Sequence, residues 1–180
     1  MIERLSTKEL LFRSFDDLSK STALEKIRVN DITDNCGLKR GTFYYHFSSK
    51  EDLVFKKFEE VYSEIHQELY GKQPWKAILE RILLFCKTHC TLIKSVLGNA
   101  DYIRKIQVFM LTSIESIALA YYGPDKLTAR VKTEIKFYAI GSAYIYYDWI
   151  LRDCQEPCEE IAAYINECVP ESLRAALDGI

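Results

Sequence analysis

Apolar residues recur every three or four positions along most of the chain, which is the spacing of one buried face on an α-helix. Glycine and proline interrupt this pattern at a few places and are expected to end or restart helices there. The sequence therefore predicts an all-α protein throughout. A first helix is expected to carry Leu11, Phe15 and Leu18 on one face. Further helices are expected near residues 51–70, from Trp75 to Ile93 or beyond, at 101–121, at 126–152 and after Pro157. Gly98 and Asn99 are expected to end the helix that starts at Trp75, and Pro170 to kink or restart the last one.

Residues 29–51 predict a short helix, a tight turn and a second short helix. Asn30 lies in the first turn, where free backbone N–H groups favour such side chains. Gly37 follows the first helix, and glycine adopts the positive φ that ends a helix abruptly. Phe43 and Phe47 are four residues apart, so they share the face that packs against the first helix. This is the pattern of a helix-turn-helix.

The other face of the second helix carries cations, hydroxyls and a glycine, and the sequence from Gly37 to Lys50 contains no acid. Cations and hydroxyls bind phosphate oxygens, an arginine can bind two acceptors of guanine, and glycine lets the backbone approach closely. A Tyr-Tyr-His run alone is more often a half-buried helix face, but the complete ordered set favours double-stranded DNA. The candidate DNA-binding residues are Asn30, Lys39, Arg40, Gly41, Thr42, Tyr44, Tyr45, His46 and Lys50.

The run GLKRGTFYYHFSSKEDL resembles the DNA-binding signature of the tetracycline repressor (TetR) family of bacterial regulators. The resemblance covers about the first 55 residues and implies phosphate contacts from Thr42, Tyr44 and Lys50. It implies that the remaining polar residues of the second helix face base edges or adjacent backbone. Lys39 departs from the pattern, because the family commonly has serine or a similar cap there and lysine caps poorly. Ser48 and Glu51 have the spacing of a capping box that starts the next helix.

Composition limits the other functions. The chain has 180 residues, 48% of them hydrophobic, and a net charge of −2. Residues 1–50 carry nine Lys or Arg and seven Asp or Glu, a net charge of +2, which leaves −4 for the rest. We therefore predict a DNA-binding domain over residues 1–50 and an effector-binding and dimerisation domain over 51–180. No secretory signal or membrane span is recognisable, so a cytoplasmic location is expected.

No enzyme motif is present, and the three histidines have no acid partner at a telling spacing, so we expect no catalytic residues and no cofactor. The six cysteines fit no disulfide framework of a small secreted domain, and reduced thiols are expected. Cys86, His89 and Cys90 share one helix face, but a zinc site needs further ligands and none is indicated. Small buried residues are the better interpretation, and we predict no metal site.

Residues 137–151 contain one charge, Asp148, and no side of this segment looks solvated. We expect it to be buried against its own core and against a second copy, although a monomeric core is the alternative. One recognition helix reads few base pairs, so a homodimer on a palindromic operator is expected. In the resembled family the last two long helices pair with their mates, which implies residues 133–151 and 157–168 here. The candidate interface residues are Tyr146, Trp149, Ile150, Ile161 and Ile165.

The body is expected to hold aromatic surface with a few polar ends, as small-molecule pockets often do, although ordinary core packing explains the same residues. An effector there is expected to shift the 51–70 helix and change DNA binding. The C-terminal half, with its F-Y-A-x-G and W-I-L run, resembles a branch that includes regulators of dihydroxyacetone kinase operons, some of which respond to protein partners. The candidate pocket residues are Phe85, His89, Tyr102, Phe109, Met110, Tyr138 and Tyr144.

Together these features predict a homodimeric, sequence-specific transcriptional regulator, expected to be a repressor, whose DNA binding is altered by a small-molecule or protein effector. The alternative is a dimeric adaptor of the same fold that binds a protein partner instead of DNA or a small molecule. Salt dependence separates the two, because each phosphate contact adds about −0.9 to the log-log slope of duplex binding.

Overall fold

The computed structural model describes residues 5–23, 25–98 and 100–179, and within these ranges it contains helices and no strand. The predicted all-α class is confirmed. None of the helices in the described part of the chain is long and apolar enough to span a bilayer. Ten α-helices follow one another over these described ranges: α1 Thr7–Ser19, α2 Val29–Asn35, α3 Arg40–His46, α4 Lys50–Leu69, α5 Trp75–Thr88, α6 Cys90–Val96, α7 Ala100–Tyr122, α8 Ala129–Leu151, α9 Cys158–Glu167 and α10 Glu171–Asp178, with a 3-10 turn Pro124–Lys126 before α8.

Helices α1, α2 and α3 form the head, which closes over a small apolar core. Phe15, Ile32 and Phe43, one from each helix, are almost fully buried in it. The Ser14 hydroxyl donates to the carbonyl oxygen of Ile32 at 2.6 Å, which ties α1 to α2. Gly37 has φ +70°, so the predicted turn between α2 and α3 is confirmed. The face that carries Phe43 is therefore fixed, and the opposite face of α3 points outward.

Helix α4 starts with a cap one residue later than predicted. Ser49, not Ser48, is the N-cap, and its hydroxyl accepts from the backbone N–H of Asp52 at 3.1 Å. The Asp52 carboxylate in turn accepts from the N–H of Ser48 at 2.8 Å. Glu51 therefore has no part in a capping box. The long helix begins at Lys50 and runs for 20 residues, or about 30 Å, from the head into the body.

The long helix expected from Trp75 onward is two helices, α5 and α6, which meet at His89. His89 has φ −111° and ψ 27°, outside the α-helical range, so the axis changes direction there. The bend lets the imidazole Nδ1 reach Asp16 Oδ1 of α1 at 2.8 Å. The break thus coincides with a contact to the head, at a point where the local sequence contains no glycine or proline. Asn99, expected to help end this segment, lies outside the described residues.

The remaining helices build the body around α8. Helix α7 packs along α8, and α9 packs against α5. Trp75 is buried at the start of α5, and its indole N–H donates to the Tyr138 hydroxyl of α8 at 2.7 Å. Pro170 restarts the chain, because α9 ends at Glu167 and α10 begins at Glu171. The body is thus a layered set of helices with α8 in contact with several of them.

The predicted interface residues lie inside one protomer, which corrects that expectation. Each has less than a tenth of its surface exposed, because α8 and α9 turn these side chains toward α5, α6 and α7: Tyr146, Trp149, Ile150, Ile161 and Ile165. The outward face of α8 is a different apolar stripe, formed by Phe137, Ile140, Tyr144 and Leu151, which are spaced three, four and seven residues apart. We call these four residues the α8 stripe. Phe137 is the most open of them, at 80% exposure.

Candidate DNA-binding surface and effector cavity

The outward face of α3 presents aromatic and cationic side chains to solvent. Tyr45 is 84% exposed, and Tyr44 beside it is about half exposed. The Arg40 guanidinium donates to the Asn30 side-chain oxygen at 3.1 Å and to the Tyr44 hydroxyl at 3.3 Å. It also lies 5.4 Å from the centre of the Tyr44 ring. Three of the predicted DNA-binding residues are therefore held together on one surface, with Arg40 oriented by the other two.

The first turn of α3 leaves its backbone and two of the predicted DNA-binding residues exposed to solvent. Lys39 is the N-cap residue, and its side chain makes no capping hydrogen bond, in agreement with the poor capping expected of lysine. Its carbonyl oxygen accepts from the N–H of Thr42 at 2.8 Å, which closes the first turn. A Cβ added at Gly41 would meet nothing within 4 Å, so this backbone lies against open space. Lys39 and Gly41 are both exposed, while Thr42 is half-buried.

The two ends of the surface are connected to the rest of the head. The Lys50 ammonium donates to the carbonyl oxygen of Ile27 at 3.1 Å, so this side chain is half-buried and bridges α4 to the segment before α2. The carbonyl of His46 accepts from Lys56 of α4 at 3.0 Å, and the His46 ring packs edge-on against Tyr45 at 4.9 Å. All nine predicted residues therefore lie on or beside the α2 to α4 segment. Their contacts with DNA stay a prediction.

The body encloses a cavity of about 280 Å³ between α4, α6, α7 and α8. Of the seven predicted pocket residues, Tyr102, Met110 and Tyr144 line it. The other four lie elsewhere, because their side chains pack against other neighbours. Phe85 and His89 pack against Phe12 of the head, Phe109 packs against Phe55, Phe58 and Tyr62, and Tyr138 is bonded to Trp75.

Sequence reasoning missed Tyr146 as a residue that lines the cavity. The residue is 6% exposed, and its hydroxyl is fully buried with no hydrogen-bond partner among the described residues. Burial holds the pKa of this phenol well above its usual value, so the hydroxyl keeps its proton. Ala143, one turn earlier on α8, also lines the cavity. A small residue next to tyrosines is the signal that the sequence offered.

Two further polar contacts join the helices around the cavity to the head and to the start of α4. The Tyr102 hydroxyl, from a ring that lines the cavity, lies 3.2 Å from the hydroxyl of Ser49. Ser49 is the N-cap of α4, so a cavity wall touches the residue that fixes the start of the connecting helix. The second contact is the bond between His89 and Asp16, from the joint of α5 and α6 to α1. Ile93, Val96 and Leu97, which follow His89, also line the cavity.

These observations define the class of protein: a helix-turn-helix head on an all-helical body with an enclosed apolar cavity. Residues 21–56 match the family model described as bacterial regulatory proteins, tetR family. Residues 21–56 thus match the DNA-binding domain of the TetR family, which confirms the resemblance seen in the sequence.

Named relatives agree with this assignment. A curated protein of Lactococcus lactis subsp. lactis (strain IL1403), the HTH-type dhaKLM operon transcriptional activator DhaS, is 31% identical over 86 residues, which is 46% of each chain. The alignment thus spans less than half of that relative. A solved structure named dihydroxyacetone kinase operon activator DhaS has a TM-score of 0.68 at 18% identity and covers 91% of this chain and 93% of its own. The TetR family repressor AlkX from Dietzia sp. strain DQ12-45-1b has a TM-score of 0.51 at 18% identity and covers 93% of this chain and 99% of its own.

The two proteins named DhaS bear on the resemblance seen in the C-terminal half. The resemblance to the branch that includes regulators of dihydroxyacetone kinase operons is confirmed along with the family. At 18% identity the structural matches show a shared fold. The ligands and target genes of those proteins are not transferred to this chain.

Proposed function

We propose that the chain is a sequence-specific DNA-binding regulator of transcription, not an enzyme. The observation that carries this proposal is the outward face of α3, where Arg40, Tyr44 and Tyr45 are exposed on a helix fixed by the buried Phe43. Such a face suits a major groove, because its cation and hydroxyls can bind phosphates and base edges. The sign of regulation depends on where the operator lies relative to the promoter. We expect repression where the two overlap.

The proposed working form is a homodimer. The α8 stripe is apolar and exposed, and Tyr164 on α9 is half exposed as well. Contiguous exposed apolar residues of this kind usually mark an interaction surface. A second copy is the occupant that the function requires, since a two-fold pair presents two recognition helices to a palindromic operator. This stripe replaces the buried residues that the sequence had indicated.

Control by an effector is the third part of the proposal. A molecule in the cavity would press on Tyr102, whose hydroxyl contacts the Ser49 cap of α4. Movement of α4 changes the position of the head and therefore the separation of two recognition helices in a dimer. A coupling of about 1–3 kcal/mol is typical for linked sites of this kind. A protein effector is the alternative that the dimeric adaptor hypothesis also requires.

The test of DNA reading is selection of duplexes from a random pool, followed by measurement of affinity against salt concentration. We expect a palindromic site and a log-log slope near −0.9 for each phosphate contact. Tyr44→Phe should weaken binding to all sequences and flatten the slope, and Arg40→Ala should relax preference at one base position. Lys72→Ala is the control, because Lys72 is exposed in the turn between α4 and α5, away from α3. An adaptor that binds only protein would show no salt-dependent duplex binding.

The test of the dimer is a sedimentation measurement of Phe137→Glu. A charge at the most exposed residue of the α8 stripe should shift the protein toward monomer and weaken operator binding together. Leu84→Glu is the matched control, because Leu84 is similarly exposed on α5 but lies outside the stripe. A wild-type protein that sediments as a monomer, or a Phe137→Glu variant that dimerises as tightly as wild type, would refute this interface.

A further inference from the structure

Four of the six cysteines lie close together in the body, near the end of α8. Cys86 and Cys90 are four residues apart where α5 meets α6, and Cys154 and Cys158 have the same spacing between α8 and α9. The side chain of Cys154 is in hydrogen-bond contact with that of Cys90, and the thiols of Cys86 and Cys158 lie within electrostatic reach of it. All four are free thiols. The fold thus brings together two cysteine pairs that are far apart in the sequence.

Other contacts hold Cys90 beside the segment that follows α8. Its thiol donates to the carbonyl oxygen of Ile150, in the last turn of α8, at 3.7 Å. One turn further along α6, the Lys94 ammonium donates to the carboxylate of Asp153 at 2.6 Å. Asp153 directly precedes Cys154 in the chain. The start of α6 is therefore fixed against the segment that carries Cys154 by contacts that do not involve the two thiols together.

The backbone at Cys154 is unusual for a cysteine. The described part of the chain has positive φ at two residues other than glycine, which are Asp153 at φ 61° and Cys154 at φ 50°. A side chain in this conformation crowds its own backbone, and such strain is often kept where a function depends on it. Cys154 is 2% exposed, so this turn buries its thiol. Glycine would relieve the strain but would remove the sulfur from its place beside Cys90.

The arrangement suits chemistry between two thiols more than coordination of a metal. Within the described residues, no group of three or more Cys, His, Asp or Glu side chains is placed to hold a metal ion. Two neighbouring thiols can instead be oxidised to a disulfide. Cys90 and Cys154 differ in their access to solvent, because Cys90 is half-buried and Cys154 is buried. An oxidant that arrives from solvent therefore meets Cys90 first.

We infer that Cys90 and Cys154 form a redox-active dithiol pair, which a hydroperoxide converts to a disulfide. The Cys90 sulfur attacks the O–O bond as a thiolate, so an S–O bond forms, the O–O bond breaks, and the second oxygen leaves as water or an alcohol with the thiol proton. The Cys154 sulfur then attacks the sulfenic acid on Cys90. An S–S bond forms, the S–O bond breaks, and the oxygen leaves as water with the proton of the second thiol. Two thiols thus lose two electrons, which reduce one hydroperoxide.

Burial accounts for the order of these steps. Burial, followed by contact with Cys90, holds the pKa of Cys154 well above its usual range, so this thiol is a poor nucleophile toward an oxidant in solvent. It reacts once a sulfenic acid has formed beside it. Burial also raises the pKa of Cys86 to about 12, so Cys86 is not the first thiol to react either. Cys90 is therefore the residue that the oxidant modifies, and Cys154 is the residue that completes the disulfide.

A disulfide at this position would change the contact between the body and the head. Its two sulfurs are covalently bonded at about 2.0 Å, which is much closer than two thiols in contact, so α6 and the segment after α8 must approach each other. Cys90 directly follows His89, whose imidazole contacts Asp16 of α1. Movement of Cys90 therefore disturbs this contact with the head. This consequence rests on the proposed regulator function, for which it names an oxidant as a signal.

The experiment treats the reduced full chain with hydrogen peroxide, without DNA, and maps disulfides by mass spectrometry of unreduced peptides. Wild type should yield two peptides joined through Cys90 and Cys154, and dithiothreitol should separate them. Cys154→Ala should instead keep a sulfenic acid on Cys90, which dimedone traps. Cys90→Ala should yield neither product. Cys168→Ala is the matched control, because this exposed thiol lies outside the cluster, and it should form the same disulfide as wild type.

A second measurement connects the disulfide to DNA. The affinity of wild type for its selected duplex should fall about fivefold or more on oxidation and recover with dithiothreitol. Cys90→Ala should keep its affinity in peroxide. His89→Phe should form the disulfide in the same yield as wild type but lose less affinity, because its contact with Asp16 is already absent.

Three results would overturn the inference. Oxidised wild type with no disulfide, or with one between other cysteines, would refute the pair. A sulfenic acid trapped on a cysteine other than Cys90 in the Cys154→Ala variant would refute the order of the steps. An unchanged duplex affinity of the oxidised protein would refute the connection to the head. Disulfide mapping uses no DNA, so a reduced protein that binds no duplex would refute the proposed DNA reading and leave the dithiol pair standing.

Discussion

The head and the body expose their polar groups in opposite ways. On α3 the polar side chains stand in solvent, and Arg40 is held by Asn30 and Tyr44 before any partner arrives. In the body the cavity is lined by uncharged side chains, most of them aliphatic or aromatic. The head therefore suits a large charged surface that it meets in water, whereas the body suits a small neutral molecule that must leave water. Ser49 and His89 lie where these two regions meet.

The first test separates the scaffold of the head from its surface, and it has the largest expected effect. Phe43→Ala removes a fully buried ring and should lower the free energy of unfolding by about 3–5 kcal/mol. Tyr45→Ala, on the same helix but exposed, should change it by no more than about 0.5 kcal/mol while weakening DNA binding. Urea unfolding and duplex affinity measure both. A Phe43→Ala protein as stable as Tyr45→Ala would contradict the assigned faces of α3.

The second-largest loss of stability is expected at His89, where α5 and α6 meet. His89→Phe keeps a ring against Phe12 but removes the nitrogen that bonds Asp16, so the free energy of unfolding should fall by about 1–2 kcal/mol. His66→Phe is the control, because the Nε2 of His66 has no partner in the described residues. Urea unfolding of both variants is the measurement. Equal stability of the two would show that this bond does not hold head to body.

The contact between Ser49 and Tyr102 is expected to affect the coupling of effector binding to DNA binding more than it affects stability. Tyr102→Phe removes one hydroxyl and should cost about 1 kcal/mol or less, while it reduces the change in operator affinity caused by saturating naphthalene, used as an apolar probe of the cavity. Tyr147→Phe alters another tyrosine of the cavity wall and should preserve that change. Operator affinity with and without naphthalene gives both values. An undiminished effect in Tyr102→Phe would show that the coupling between the cavity and the head does not depend on the Tyr102 hydroxyl.

The smallest effect concerns the cap of α3. Lys39→Ser supplies a capping hydroxyl where the lysine supplies none, so stability should rise by about 0.5–1 kcal/mol. The same change removes a cation from the DNA face and should reduce the magnitude of the salt slope by about 1. Chemical unfolding and duplex titration are the measurements, with Lys72→Ala as the control. A stabilised variant with an unchanged salt slope would remove Lys39 from the phosphate contacts.

Much of the head could be predicted because its determinants are close in sequence. Phe43 and Phe47 are four residues apart on one short segment, and Gly37 marks the turn by its own backbone freedom. The cap of α4 was harder, since Ser48 with Glu51 and Ser49 with Asp52 have the same spacing. The structure selects Ser49, whose hydroxyl also contacts Tyr102 from a helix 53 residues away. The residues around Ser49 in the sequence do not predict that contact.

The body was predicted less completely for a similar reason. Helix α8 carries apolar residues on every side, so its pattern did not distinguish Tyr146, which faces the core, from Phe137, which faces solvent. The break at His89 coincides with a contact to Asp16, which lies 73 residues earlier. Periodicity reports that a helix is buried, but the neighbour against which each face packs is decided by tertiary structure.

The most direct test of the account is the affinity and stoichiometry of the full chain on its selected duplex as salt concentration is varied. We predict two protomers on each palindromic site and a log-log slope near −0.9 multiplied by the number of phosphate contacts, reduced in magnitude by Tyr44→Phe. A protein that binds no duplex at low ionic strength, or that binds with no dependence on salt, would contradict the assignment of the α3 face to DNA.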